Sequence, residues 1–235
     1  MCGIVGIINK KKAVDQSLIK KMLASVSHRG PEDEGIWVGN EGRVVLGHRR
    51  LAIIDLSPAG HQPMVSSDGR YVITFNGEIY NYNELKSELQ NLGRVFRSKS
   101  DTEVLLNSYI QWGEDCLEKL NGMFAVAIWD EKEKRLFAAR DRMGEKPFKY
   151  YYDDNKFIFA SEIKAILEDK EIPREIDWQA IDSALSLRFV AAPDTGFKHI
   201  FKLRAGHYLI WKAGNLKINK YWDAGDFKIE PKDVT

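Results

Sequence analysis

The second residue of the chain is a cysteine, directly behind the initiator methionine. A small second residue normally lets that methionine be removed, leaving Cys2 with a free α-amine. An α-amine has a reference pKa of ~7.7–8.0, far below that of lysine, so part of it is unprotonated at neutral pH. It can then take the thiol proton, directly or through water. Nucleophile and base would sit on one residue, an arrangement that activates Cys, Ser or Thr for covalent catalysis. The plainer reading puts Cys2 in a small buried site at the first strand, and the Met-Cys dipeptide alone favours it.

Other residues suit the same chemistry. In FNGEIYNY, Asn76 and Gly77 follow a strand, where glycine permits a tight turn and close backbone approach. A carboxamide and a neighbouring backbone N–H aimed at one oxygen make an oxyanion hole. Asn-Gly is equally a common turn, and Glu78 equally a first-turn acid of the next helix. Arg50 ends RVVLGHRR, where a guanidinium can clamp a carboxylate with two parallel hydrogen bonds, although physics alone does not separate it from Arg49. Asp101, in SKSDTEVLL, either holds an ammonium group or complements a helix N-terminus, since Ser100 and Glu103 have capping-box spacing. His28, His48 and His61 lack HExxH or Cys-rich neighbours and read as loop stabilisers, so no metal site is expected. Cys116 reads as a half-buried packing residue. Gly-rich phosphate loops are absent.

The elements that must position these residues follow from periodicity. CGIVGIIN is a short, β-branched run that reads as a buried strand. Ile19, Met22, Leu23 and Val26 share one helical face that ends before His28-Arg29-Gly30-Pro31. Strands are expected at 35–38, 43–48 and 71–75, with Ser66-Ser67-Asp68-Gly69 turning between the last two. Leu85, Leu89 and Leu92 mark a helix stopped by Gly93, and a second helix runs over 102–112 to Gly113. MFAVAIWD and RLFAARD form strands about a charged turn, and 150–152 with 157–160 form a hairpin. Short helices are expected over 161–168 and 177–187, then a hairpin of HYLIWK and LKINKYW. Helices in two clusters between largely antiparallel strands suggest packed sheets covered by helices.

Bulk composition is that of a globular protein. The 235 residues are 44% hydrophobic and 29% charged, enough for one large domain or two small ones. A net charge of +1 with interspersed signs points to no nucleic-acid or membrane-surface partner. No apolar run is long enough to span a bilayer, and no signal-peptide pattern opens the chain. Two cysteines make no disulfide framework, so a reducing cytoplasm is the expected location.

Taken in order, the segments MCGIVGI, RGPEDEG, GHRRLAIIDLSPAGHQPM, FNGEIYNYNEL, SDTEVLL, NGMFAVAIWD, RDRMGEKPFKYY and FASEIKAIL resemble the N-terminal glutaminase domain of glutamine-dependent asparagine synthetases. Agreement continues through HIFKLRAGHYLIW and covers nearly the whole chain. HRRLAIID and NGEIYNY resemble this branch rather than the glucosamine-phosphate synthase or amidophosphoribosyltransferase branches of class II amidotransferases. The resemblance implies an α+β fold, the four-layer sandwich of N-terminal-nucleophile hydrolases, with two antiparallel sheets between helical layers. It implies that Cys2 attacks the side-chain amide of L-glutamine, with the Asn76 side chain and the Gly77 N–H holding the oxyanion. Arg50, the arginine preceding Leu in its motif, would bind the substrate carboxylate. Glu78 and Asp101 would bind its ammonium, and backbone around Leu51, Ile53 and Ile54 would line the pocket.

In this family the glutaminase domain leads into an ATP-pyrophosphatase synthetase domain with a serine-glycine-glycine phosphate loop, which this sequence lacks. The expected organisation is a glutaminase domain over 1–222 and a linker over 223–235 toward a synthetase domain in cis or in trans. No cofactor is expected in the glutaminase domain, ATP and Mg being needed only by a full-length synthetase. A homodimer is compatible with this reading. Glu145 stands where an apolar residue is common in relatives. The alternatives are a non-catalytic glutamine-binding or sensor module, and amidotransfer to an acceptor other than aspartate.

Overall fold

Alternating and wholly apolar runs become two six-stranded sheets, and the 3.6-residue periodicities become their helical covers. The computed structural model describes residues 1–226; most of the expected linker, 227–235, lies outside them. The chain begins β1 (Gly3–Asn9), α1 (Gln16–Ser25), β2 (Asp33–Gly39), β3 (Val44–Arg50), β4 (Met64–Val65) and β5 (Tyr71–Ile79). Three helices follow, α2 (Tyr82–Asn91), α3 (Asp101–Trp112) and the single turn α4 (Cys116–Lys119). Then come β6 (Gly122–Asp130), β7 (Arg135–Arg140), β8 (Lys149–Tyr152) and β9 (Lys156–Ala160). The remainder is α5 (Ile163–Ile166), α6 (Trp178–Leu187), β10 (Ile200–Lys202), β11 (His207–Lys212) and β12 (Asn215–Lys220).

One sheet has the order β10-β8-β9-β1-β3-β2, the other β12-β11-β7-β6-β5-β4, and every pairing is antiparallel. Three apolar clusters separate the layers. Ile4, Ile8, Leu46, Phe157 and Phe159 meet Val72, Trp129, Leu136 and Trp211 between the sheets. Val5, Ile7 and Val45 pack outward on Ile19, Met22 and Leu23 of α1 and Ala165 and Ile166 of α5. Phe75, Val126 and Phe137 pack outward on Leu85, Leu89, Leu105 and Tyr109 of α2 and α3. The expected α+β sandwich, sheets inside and helices outside, is present. It also explains why β1 is buried along its whole length: a strand covered on both faces needs no polar side.

Several expected boundaries move. The strand expected to stop at residue 75 continues to Ile79, because Tyr71–Ile79 pairs residue by residue with Gly122–Asp130. Asn76-Gly77 is therefore strand, not turn, and Glu78 is not a first-turn acid, since α2 starts at Tyr82. The Ser100–Glu103 capping box is half made. Ser100 caps α3 by accepting from Thr102 N, but the Glu103 carboxylate accepts from Arg97 N and Ser98 N of the incoming loop. The helix expected over 161–168 is a single turn. Edge strands β4 and β10 carry no pattern of their own and form by pairing to longer neighbours. Cys116 is fully rather than half buried, in the cluster under α3.

Candidate active site

Cys2, Arg50, Leu51, Ile53, Ile54, Asn76, Gly77, Glu78 and Asp101 all line one cavity of about 190 Å³. That is small beside the ~300–1,000 Å³ of drug-sized pockets, and suits one small molecule. Leu51, Ile53 and Ile54 lie in the loop after β3, and each of the others arrives at the end or edge of a regular element. Cys2 precedes β1, Arg50 closes β3, residues 76–78 lie on β5, and Asp101 opens α3.

The first end is clamped from behind. Arg29 donates Nε to Cys2 O (2.9 Å) and Nη1 to Glu162 Oε1 (3.0 Å). Burial opposes charge on Glu162, yet hydrogen bonds from Arg29, Lys164 and His28 hold its carboxyl down at about 2. Ser161 Oγ accepts from Ile4 N at 3.0 Å, so the first residues of β1 have little freedom. The Cys2 sulfur faces the 51–60 loop, 3.4 Å from Leu51 N and 3.5 Å from Leu51 O. Burial pushes the thiol up, while the Leu51 contact, the chain's terminal charge and Arg50 pull it down.

β5 supplies the most specific geometry. Phe124 bonds toward β7, its N to Asp141 Oδ2 (3.1 Å) and its O from Asp141 N (2.8 Å). In an antiparallel ladder both backbone groups of a residue point the same way, so Gly77, the register partner of Phe124, faces away from β6. On that outer edge Gln62 Oε1 accepts from Phe75 N at 2.7 Å and Asp101 Oδ2 accepts from Ile79 N at 3.1 Å. The Gly77 N–H between them has no acceptor among the described residues. A side chain at Gly77 would collide with Met123 O and Phe124 Cα, so the glycine serves close strand approach rather than a turn. The neighbouring Asn76 is 1% exposed, and its Nδ2 is buried with no partner among the described residues. Two adjacent donors, one side chain and one backbone, are left unsatisfied at one cavity. Gly77 is half-buried, whereas the Asn76 amide is buried, and a buried donor is seldom left so without a ligand or water to meet.

The charged groups are arranged around these donors. Arg50 donates Nη1 to Ser57 O at 3.0 Å and Nη2 to Asp55 O, which holds the 51–60 loop over the cavity. Gly60 is packed so tightly on that guanidinium that a Cβ would strike it. Arg49 points the other way, to Leu23 O and Glu34. Strand alternation therefore separates the two arginines. Burial raises the Asp101 carboxyl to about 6, against the Ile79 N–H that lowers it. His48 does not line the cavity; its Nε2 bonds Phe75 O at 3.0 Å. His28 and His61 bond Glu162 and Asp33 near the surface.

Sequence reasoning missed Gln62, Thr102, Met123 and Lys146, which also line the cavity. Gln62 Nε2 donates to Thr102 Oγ1 at 3.2 Å while its Oε1 holds Phe75 N. Nothing in residue type or spacing marks that bridge, because it joins a loop, a strand and a helix distant in sequence. Among the described residues no group of three or more His, Cys, Asp or Glu is placed to hold a metal. Nor is any helix among them long and apolar enough to cross a membrane.

The four-layer sandwich is the fold of N-terminal-nucleophile hydrolases. It is shared with the glutamine phosphoribosylpyrophosphate amidotransferase of Bacillus subtilis, at a TM-score of 0.69 and 21% identity over 94% of this chain and 49% of that one. Within that class residues 1–222 match the glutamine amidotransferase domain, and the chain belongs to this family. It is 43% identical to asparagine synthetase (glutamine-hydrolysing) 3 of Bacillus subtilis, over 95% of this chain and 37% of that protein. It is 44% identical to a putative asparagine synthetase (glutamine-hydrolysing) 2 of Methanocaldococcus jannaschii, over 97% of this chain and 48% of that protein. The chain thus spans less than half the length of these relatives.

Proposed function

We propose that this chain hydrolyses free L-glutamine to glutamate and ammonia through a thioester on Cys2, the ammonia serving an asparagine-synthetase-type domain. The chemistry begins when Met1 is removed. The Cys2 α-amine takes the thiol proton, and the sulfur attacks the side-chain amide carbon of glutamine. The oxyanion is held by the Asn76 Nδ2 and Gly77 N–H donors. Collapse breaks the C–N bond, and ammonia leaves with the proton held on the α-amine. Water then attacks the γ-glutamyl thioester, releasing glutamate and restoring the thiol. Arg50 binds the substrate carboxylate, Glu78 and Asp101 its ammonium, and the backbone of Leu51, Ile53 and Ile54 lines the slot. Recognition of both charged ends favours the free amino acid over a glutaminyl residue in a peptide.

The observation that carries this reading is the buried, unpartnered Asn76 Nδ2 beside a half-buried Gly77 N–H with no acceptor among the described residues, at the cavity that Cys2 opens into. The names of the relatives, which pair glutamine hydrolysis with asparagine synthesis, support the destination of the ammonia. The reading needs no cofactor here; ATP and Mg²⁺ would serve the synthetase domain alone. The test is glutamate release from glutamine by wild type and Cys2→Ala, in preparations whose intact mass shows Met1 gone. Equal release by the two proteins overturns the proposal.

A further inference from the structure

Lys146 is only 7% exposed, yet no carboxylate among the described residues lies within ion-pair distance of its ammonium. Its side-chain partner is the Met1 thioether, with Nζ 3.3 Å from Sδ. Thioether sulfur is a weak acceptor, so a buried cation is left electrostatically unfinished. The placement is not loose. Lys146 N donates to Asp141 Oδ2 at 3.0 Å, and Lys146 O accepts from Arg140 Nε at 2.7 Å. Asp141 is itself fully buried and also accepts from the N–H groups of Phe124, Met143 and Glu145. A rigid loop therefore presents this ammonium to the cavity that Cys2 and Asn76 line.

Removal of Met1 takes away that partner and creates an α-amine on the nitrogen to which Met1 was joined. The ammonium then stands within one methionine side chain's reach of the new amine. We propose that Lys146 is a positioning residue for Cys2: its charge disfavours a second positive charge on the α-amine and favours negative charge on the sulfur. This rests on the Cys2 reading above. Of the other cations around Cys2, Arg50 also favours negative charge on the sulfur, and Arg29 is neutralised by Glu162. Arg29 is tied to Cys2 O and Glu162, and Arg50 to two loop carbonyls. Glu78 from β5 and Asp101 from α3 line the same cavity and act in the opposite sense, as does Asp55 of the loop. Each carboxylate holds a proton on the amine and opposes the thiolate. Lys146, like Arg50, is a cation that offsets them.

The experiment is the pH profile of glutamate release by Met1-free wild type, Lys146→Met, Lys146→Gln and Lys146→Arg, with Cys2→Ala in parallel. Losing the cation raises the pH at which the amine becomes free. The acid limb of kcat/KM in Lys146→Met and Lys146→Gln should therefore move up by about one pH unit, with an approximately tenfold loss at pH 7 that disappears above pH 9. KM should stay within about twofold, and Lys146→Arg should restore the wild-type profile. The rate of Cys2 alkylation against pH should shift in parallel, a readout that does not depend on turnover. A loss that is uniform across pH, or an unmoved profile, overturns the proposal. Full activity in Cys2→Ala would instead sink the reading on which it rests. If Lys146→Met fails to fold, Lys146→Gln carries the same comparison.

Discussion

Asn76 and Gly77 present two donors through different means, and the difference governs how each responds to substitution. Asn76→Ala removes one donor and leaves the ladder intact, since the Asn76 backbone pairs with Ala125. The expected result is a fall in kcat of about 10²–10³ with KM little changed, measured by steady-state glutamate release. Asp101 adds a pH signature. Its carboxyl sits at about 6 because burial disfavours the charge. An ammonium-binding group must be ionised, so KM for glutamine should rise as pH falls through about 6. Asp101→Asn should raise KM and flatten that dependence; an unchanged KM profile removes Asp101 from substrate binding. Arg49 and Arg50 show what was legible at this scale. Side-chain alternation puts consecutive strand residues on opposite faces without saying which meets the cavity; the resemblance selected Arg50, and the neighbours on each face place Arg50 there and Arg49 away.

At the scale of elements, the site depends on how the edge of β5 and the loop after β7 are held. Asp141 is the knot, fully buried and accepting from four backbone N–H groups on two segments. Hydrogen bonds to a charged acceptor are worth about 1.5–3 kcal/mol each, and removing the acceptor strands several buried donors. Asp141→Ala should therefore destabilise the protein by at least about 3 kcal/mol. That would be read as a lower denaturation midpoint at unchanged m-value. Long periodic elements such as α1 and α2 were legible from apolar spacing. The continuation of β5 through Asn76-Gly77-Glu78 was not, because Asn-Gly is a turn dipeptide by local preference. Pairing with β6 over nine residues outweighs that preference.

At the scale of the molecule the two sheets are joined by more than apolar contact. His48 Nε2 of one sheet bonds Phe75 O of the other, and Thr74 Oγ1 bonds Gly47 O at 3.3 Å. Burial lowers the His48 imidazole to about 4, and the Phe75 hydrogen bond works against that lowering. The reference value in an unfolded chain is about 6.5. The unfolded chain thus takes up this proton first as pH falls. The stability His48 contributes is complete above about 6.5 and is lost progressively toward about 4, on the order of 3 kcal/mol. Asp101, raised rather than lowered, acts in the opposite direction. Denaturation midpoints of wild type and His48→Gln between pH 7 and 4 isolate the histidine; parallel pH curves for the two proteins would exclude it.

What residue order determined on its own was the chemistry available and most of the regular structure. A cysteine at position two, an Asn-Gly pair, an arginine at a strand end and an acid at a helix start are local facts, as are apolar periods of two and 3.6. What only the tertiary structure decided was convergence. That the Gly77 N–H has no acceptor among the described residues while those of Phe75 and Ile79 are taken, and that Lys146 faces the Cys2 end, both depend on contacts between distant segments. The physical reason is that a hydrogen-bond donor is available for chemistry only by what fails to pair with it. That absence is set by packing among elements, not by any one stretch of chain.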